Sequence, residues 1–164
     1  MSLPPEFPEL AYRVADLGEI CSRLEGAHYR LVWVVGGTSS ARSALLREFV
    51  ASGGNKLLEL GKELSAALID VAASLRAASI EDCFSELLDR SPASILCLDH
   101  LEILFETSLR LNPVELLKNS SRHRPLVASW PGSAQGDRIA FAPEEHPSHR
   151  KYFRQEMECQ FLQL

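Results

Sequence analysis

The chain has 164 residues, 46% of them hydrophobic and 24% charged, which is the composition of one ordinary compact domain with a real core. Seventeen basic against 22 acidic side chains give a net charge of −5, which excludes a freestanding nucleic-acid binder that works through overall charge. No apolar run approaches the ~20 residues that span a bilayer, and Met1 to Pro8 lacks the basic-then-apolar order of a signal peptide, so a cytoplasmic protein without membrane contact is expected.

In chain order, the three prolines within residues 1–8 predict an extended lead-in, with one domain over residues 9–164. Leu10, Val14, Leu17, Cys21 and Leu24 recur at three and four residues and predict a helix, with Gly26 suited to its C-terminal cap. Leu31 to Val35 is apolar without alternation, as in a strand buried on both faces. A small-residue loop follows, then a helix over Ser43 to Ala51 closed by Gly53-Gly54, and a short strand over Lys56 to Leu60. Lys62 to Ala78 predicts a long helix with Leu64, Leu68, Val71 and Leu75 on one side, and Ile80 to Leu88 a second helical piece. Ser94 to Asp99 is another doubly buried strand. Pro113 to Ser120 predicts a helix with proline at its first position, where the missing N–H costs little. Pro125 to Trp130 returns as a strand, and strand-like stretches follow at Asp137 to Ala142, Lys151 to Arg154 and Glu158 to Leu164. Strands alternating with helices imply a parallel sheet covered on both faces, a three-layer α/β fold.

The chemistry concentrates at Gly36-Gly37-Thr38-Ser39-Ser40-Ala41-Arg42-Ser43, between strand and helix. The phosphate-loop pattern G-x-x-x-x-G-K-[ST] fits at Gly36 and Ser43 and departs at Ala41 and Arg42. Such a loop turns backbone N–H groups and the positive end of a helix onto phosphates and leaves a hydroxyl for magnesium. If that conformation demands glycine, Ala41 costs roughly 1–2 kcal/mol of strain. Arg42 keeps the charge but not the compact head of lysine. The bland alternative is an ordinary strand-to-helix turn. About 55 residues on, a buried strand ends in Asp99, where a Walker B carboxylate holds the magnesium's water shell, so Ser43 and Asp99 are the candidate metal residues. Glu102 is the candidate to polarise an attacking water, or simply an acid complementing a helix dipole. Arg122 and Arg124, between a helix and a strand, are candidate arginine fingers for a neighbouring subunit's nucleotide, or C-terminal dipole partners. Ser129, near a strand end, is a candidate phosphate sensor or a solvent-facing serine. His146, His149, Arg150, Lys151 and Arg154 form a local basic stretch that suits DNA phosphates, an acidic partner or plain solvent. His146 and His149 lie among Pro143 and Pro147, which argues against a helix and a metal site, and Cys21, Cys83, Cys97 and Cys159 stand apart as reduced thiols.

The order of these blocks, with Leu57 to Ser65, Leu98 to Phe105, Leu111-Asn112-Pro113 with Leu116-Leu117, Ser121-Arg122-His123-Arg124 and Ala128-Ser129-Trp130-Pro131-Gly132, resembles the BrxF family, the small P-loop proteins of type III BREX bacteriophage-defence systems. The likeness runs from about Leu31 to His146-Pro147 and is most specific at Trp130-Pro131-Gly132. It implies a P-loop NTPase domain of the additional-strand, AAA-like type with ATP and Mg2+ as cofactors. It also implies larger BREX proteins or further copies of the chain as partners. The family pattern is Gly-Lys where this chain has Ala41-Arg42, which predicts weak or lost hydrolysis. Two other classes remain open: a structural adaptor that has lost nucleotide, and a small-molecule kinase, for which neither an acceptor pocket nor an arginine-rich lid is evident.

Overall fold

The structure, a computed structural model, describes residues 9–164; the predicted lead-in over residues 1–8 lies outside the described residues. Helix α1 (Leu10–Ser22) buries Leu10 and Leu17 and stops short of Gly26, whose φ of +83° no helix continues through. Strand β1 (Leu31–Val35) is buried at every position, and α2 (Ser39–Ala51) follows after three residues. Then come β2 (Lys56–Glu59), α3 (Leu60–Leu68), α4 (Arg76–Asp89) and β3 (Leu96–Asp99). Two short 3-10 turns (Leu101–Phe105 and Thr107–Leu109) lead to α5 (Pro113–Ser121) and β4 (Leu126–Ser129). The rest is β5 (Ser133–Gln135), β6 (Arg138–Phe141), β7 (Arg150–Phe153), α6 (Arg154–Met157) and β8 (Gln160–Gln163).

Five strands form one parallel sheet in the order β2-β3-β4-β1-β8, so β4 lies between β1 and β3. Period-two alternation splits β1 between two cores. Val32 and Val34 join Leu17, Leu45 and Phe49 under α1 and α2, while Leu31, Trp33 and Val35 join Leu64, Phe84 and Leu117 under α3, α4 and α5. Helices therefore cover both faces, as the doubly apolar strands required. No helix among the described residues is long and apolar enough to cross a membrane.

Three boundaries differ from expectation. The long helix predicted over Lys62 to Ala78 ends at Leu68; Ile69 and Leu75, 73% and 57% exposed, belong to a turn, and Arg76 donates to the Val71 carbonyl as the chain doubles back into α4. The apolar spacing ran on through that turn, but only Leu64 and Leu68 of its four residues are core. Helix α2 begins four residues before Ser43. Finally β5, unpredicted, pairs with β6, which in turn pairs with β7, in a separate antiparallel sheet.

That small sheet is fastened by Trp130. Its ring meets Trp33, Phe105 and Tyr152 edge-on at centroid distances of 5.2, 5.5 and 5.8 Å, and Phe105 stacks on Phe141 at 4.1 Å. The indole N–H donates to the Ala140 carbonyl at 3.0 Å. A β-carbon on Gly132 would lie 1.9 Å from that same carbonyl oxygen, so glycine is what allows β5 to close on β6.

Candidate functional site

Beyond Val35 the chain turns through Gly36 and Gly37, both left-handed with φ of +78° and +60°. A β-carbon on Gly36 would meet Gln163 Nε2 at 1.9 Å and the Leu164 carbonyl oxygen at 2.9 Å, so the loop lies directly against the residues that end β8. Thr38 is extended and caps α2, its Oγ1 accepting the Ala41 N–H at 3.0 Å while its carbonyl accepts the Arg42 N–H at 3.1 Å. Only Gly36, Gly37 and Thr38 are thus free loop; Ser39, Ser40, Ala41, Arg42 and Ser43 form the first helical residues. Helical backbone favours alanine, so the strain anticipated at Ala41 is absent. The open N–H groups of the first turn belong to the exposed Ser39 and Ser40.

Arg42 is only 6% exposed. Its Nη1 donates to the carbonyls of Gly36 (2.8 Å) and Gly37 (3.2 Å), and its Nε donates to Ser129 Oγ (3.2 Å). The guanidinium is a strap from the helix across the loop to the end of β4. Burial pulls its pKa below the ordinary value, and the fields of Asp99 and then Glu102 oppose the shift. Ser129 is buried in that strap, which overturns its solvent-facing reading.

Beneath the strap, Ser43 Oγ donates to Asp99 Oδ2 at 2.6 Å, with both residues buried. The other carboxylate oxygen accepts the backbone N–H of His100 at 2.9 Å, and His100 Nε2 stands 3.7 Å from Oδ2. His100 holds this position with a left-handed φ of +57°, and Gly61 leaves room for it, since a β-carbon there would lie 3.0 Å from the His100 carbonyl oxygen. Glu102 is exposed on the first 3-10 turn, close enough to Arg42 to act on its charge. A buried hydroxyl paired with a carboxylate at the carboxyl edge of a parallel sheet suits Mg2+, which takes one or two protein oxygens and completes its shell with phosphate and water. Ser43 and Asp99 are the two residues that would hold it.

Arg122 and Arg124 are not brought to this site. Leu31 pairs with Leu126, so the segment before β4 lies at the amino edge of the sheet, opposite the loop. Arg124 donates to the carbonyls of Leu88 and Ser91, the latter at 2.9 Å, and so closes the C-terminal end of α4. Arg122 is exposed at the end of α5, and its carbonyl accepts from Arg30 at 2.9 Å. Within one molecule the Arg124 side chain is structural, and neither arginine lies near the loop.

Elsewhere, His149 Nδ1 lies 3.0 Å from the Ala142 carbonyl oxygen and His146 Nδ1 accepts the Ser148 N–H at 3.0 Å. Among the described residues no group of three or more His, Cys, Asp or Glu is arranged to hold a metal ion. All four cysteines are free, and burial pushes the thiols of Cys21 up to about 11 and of Cys97 and Cys159 up to about 12, so these three offer no thiolate chemistry near neutrality. Gln163 and Leu164 were not foreseen beside the loop; a strand was expected there, but its neighbour in the sheet is set by long-range pairing with β1. Comparison of the chain with protein-family models, with characterised proteins and with solved structures finds no match.

Proposed function

We propose that this chain is a P-loop-type ATP-binding subunit of a bacterial, cytoplasmic phage-defence complex of the BREX kind, with hydrolysis weak or lost. The observation that carries the proposal is the 2.6 Å bond from Ser43 on the first turn of α2 to Asp99 at the end of β3, with β4 intervening between β1 and β3. That is the hydroxyl and the carboxylate a magnesium nucleotide needs, on the strand order of the additional-strand P-loop class. The N–H groups of Ser39 and Ser40 with the positive end of α2 would take phosphate, and Arg42 would supply charge from the loop's rear. Ser43 and Asp99 would hold Mg2+, which would supply positive charge against the phosphates. ATP would order Gly36 to Ser40 and so bias assembly with further copies or with larger BREX proteins, Arg122 reaching across only in such an assembly.

A second reading, the nucleotide-independent adaptor, is favoured by Arg42. Its guanidinium already satisfies the loop carbonyls and Ser129, so the loop is closed without any ligand. Thermal unfolding separates the two. ATP at 100 times its dissociation constant adds ~2.7 kcal/mol, so a weak site is visible at millimolar ATP with magnesium. The expected result is a rise in melting temperature that EDTA abolishes. Folded protein that melts identically with and without MgATP assigns the chain to the adaptor class.

A further inference from the structure

We propose that the outer face of the small antiparallel sheet binds single-stranded nucleic acid, stacking a base on Phe153 and holding the backbone phosphates with Arg138 and Lys151. The proposal does not rest on the nucleotide site, which belongs to the other sheet.

Register fixes which side chains share the face. Ser133, Ala140 and Lys151 are cross-strand neighbours in one row, and Gln135, Arg138 and Phe153 in the other. The alternate positions go inward: Ile139 is fully buried, Tyr152 packs on Trp130, and Phe141 stacks on Phe105. The core side thus accounts for the sheet's large apolar residues with one exception, since Phe153 is 37% exposed on the outer face directly across from Arg138. Lys151 holds its ammonium 5.8 Å from the Phe153 ring centroid. Two cations, one aromatic ring, one amide, one hydroxyl and the methyl of Ala140 occupy the two rows, with no carboxylate among them.

On a chain of net charge −5 that local sign is the reverse of the whole. Ringed aromatics beside cations on an open sheet are what an unstacked strand recognises, since every base offers a π-face and every linkage a negative charge. A depression of about 250 Å3 crosses the same face from Gln135 and Arg138 to His149 and Lys151. Glu144 sits on its lining and is the one acid there. It repels phosphate, which directs the backbone along the Arg138 and Lys151 side. A duplex keeps its bases stacked inside and cannot use Phe153, and an acidic peptide has charge without a ring to stack.

The test is fluorescence anisotropy of labelled 15-mers of oligo(dT) and oligo(rU), read in low and moderate salt against the same sequence as duplex. The expected result is binding of one or both single strands, at least tenfold tighter than the duplex and weakening with salt. Phe153→Leu, which keeps an apolar side chain and removes the ring, should weaken binding by about 5- to 150-fold, the usual effect of losing one stacking partner. Lys151→Gln should lower the slope of log affinity against log salt by about 0.7 for one lost phosphate contact on a single strand. Both positions are exposed, and unchanged melting of each variant checks folding. Any one of three results overturns the proposal: no binding of either single strand by folded protein at high micromolar concentration, Phe153→Leu binding as well as the parent, or displacement of the strand by poly-glutamate at equal charge. The last would reassign the face to an acidic protein partner.

Discussion

At the scale of single residues, the site turns on what Arg42 does in place of lysine. A guanidinium cannot release one carbonyl without disturbing the others, because its planar fork fixes Gly36, Gly37 and Ser129 together. Lysine at this position would carry a single, mobile ammonium able to leave the carbonyls for a phosphate. Ala41, by contrast, is harmless where it stands, and glycine there costs up to ~1 kcal/mol of helix stability. Arg42→Lys, with or without Ala41→Gly, should therefore raise ATP turnover at least ~10-fold, a fraction of the ~100-fold that one well-placed electrostatic contact to a transition state commands. A steady-state phosphate-release assay checks it, and adding Asp99→Ala should return the rate to the parent's. A double variant that binds ATP and hydrolyses no faster than the parent would place the missing function elsewhere, first at Glu102, which stands exposed on its 3-10 turn.

At the scale of elements, Trp130 and Gly132 fasten the small sheet to the large one. One carbonyl, that of Ala140, accepts the Trp130 indole N–H and sits where a Gly132 side chain would go. Gly132→Ala forces backbone apart from backbone and should cost ~1–3 kcal/mol, the range of overpacked interiors. Trp130→Phe keeps a ring but removes the donor from the carbonyl, again at ~1–3 kcal/mol. Urea unfolding followed by fluorescence reads both, since the only tryptophans are Trp33 and Trp130 and they touch. The main strands were legible because burial on both faces leaves no room for alternation, and Leu31 to Val35, Leu96 to Asp99 and Leu126 to Ser129 are buried throughout. Helix α2 starts earlier than the eight-residue phosphate-loop pattern implies because Thr38, inside that pattern, is an ordinary helix cap. Strand β5 carries no pattern in Ser133-Ala134-Gln135; it exists because Gly132 lets it approach β6. Of the candidate site, Ser43 with Asp99 was readable from spacing and polarity, whereas the inward turn of Arg42 and the seat of Gln163 against Gly36 depend on contacts that spacing does not encode.

At the scale of the whole molecule, the last parallel strand is tied to the rest through a buried cation. Lys118 on α5 is 3% exposed, donates to Glu158 just before β8 at 3.2 Å and to Glu115 at 3.4 Å, and lies 4.6 Å from the centre of the Tyr29 ring that leads into β1. Burial pulls its pKa down, but the bond to Glu158 and the field of Glu115 outweigh it and leave the value above the ordinary 10.5. A cation whose folded pKa is raised stabilises fully below its unfolded value and loses that contribution as pH climbs through the folded one. Tyr152, raised from 10.0 chiefly by burial, acts in the same direction, because the unfolded phenol ionises first. The thiols of Cys21, Cys97 and Cys159, pushed by burial up to about 11 and 12 from 9.0, act the same way from lower pH, so the melting temperature should begin to fall near pH ~8.5 and fall more steeply above ~10.5. Lys118→Met keeps the apolar stem and removes the charge, so its melting temperature should start lower and decline less steeply over the alkaline range, with Tyr152 and the three buried thiols supplying the residual slope. Parallel curves for parent and variant would mean that Lys118 gains nothing from its two carboxylates in the folded state, and that β8 is held by its pairing with β1 and the burial of Leu162.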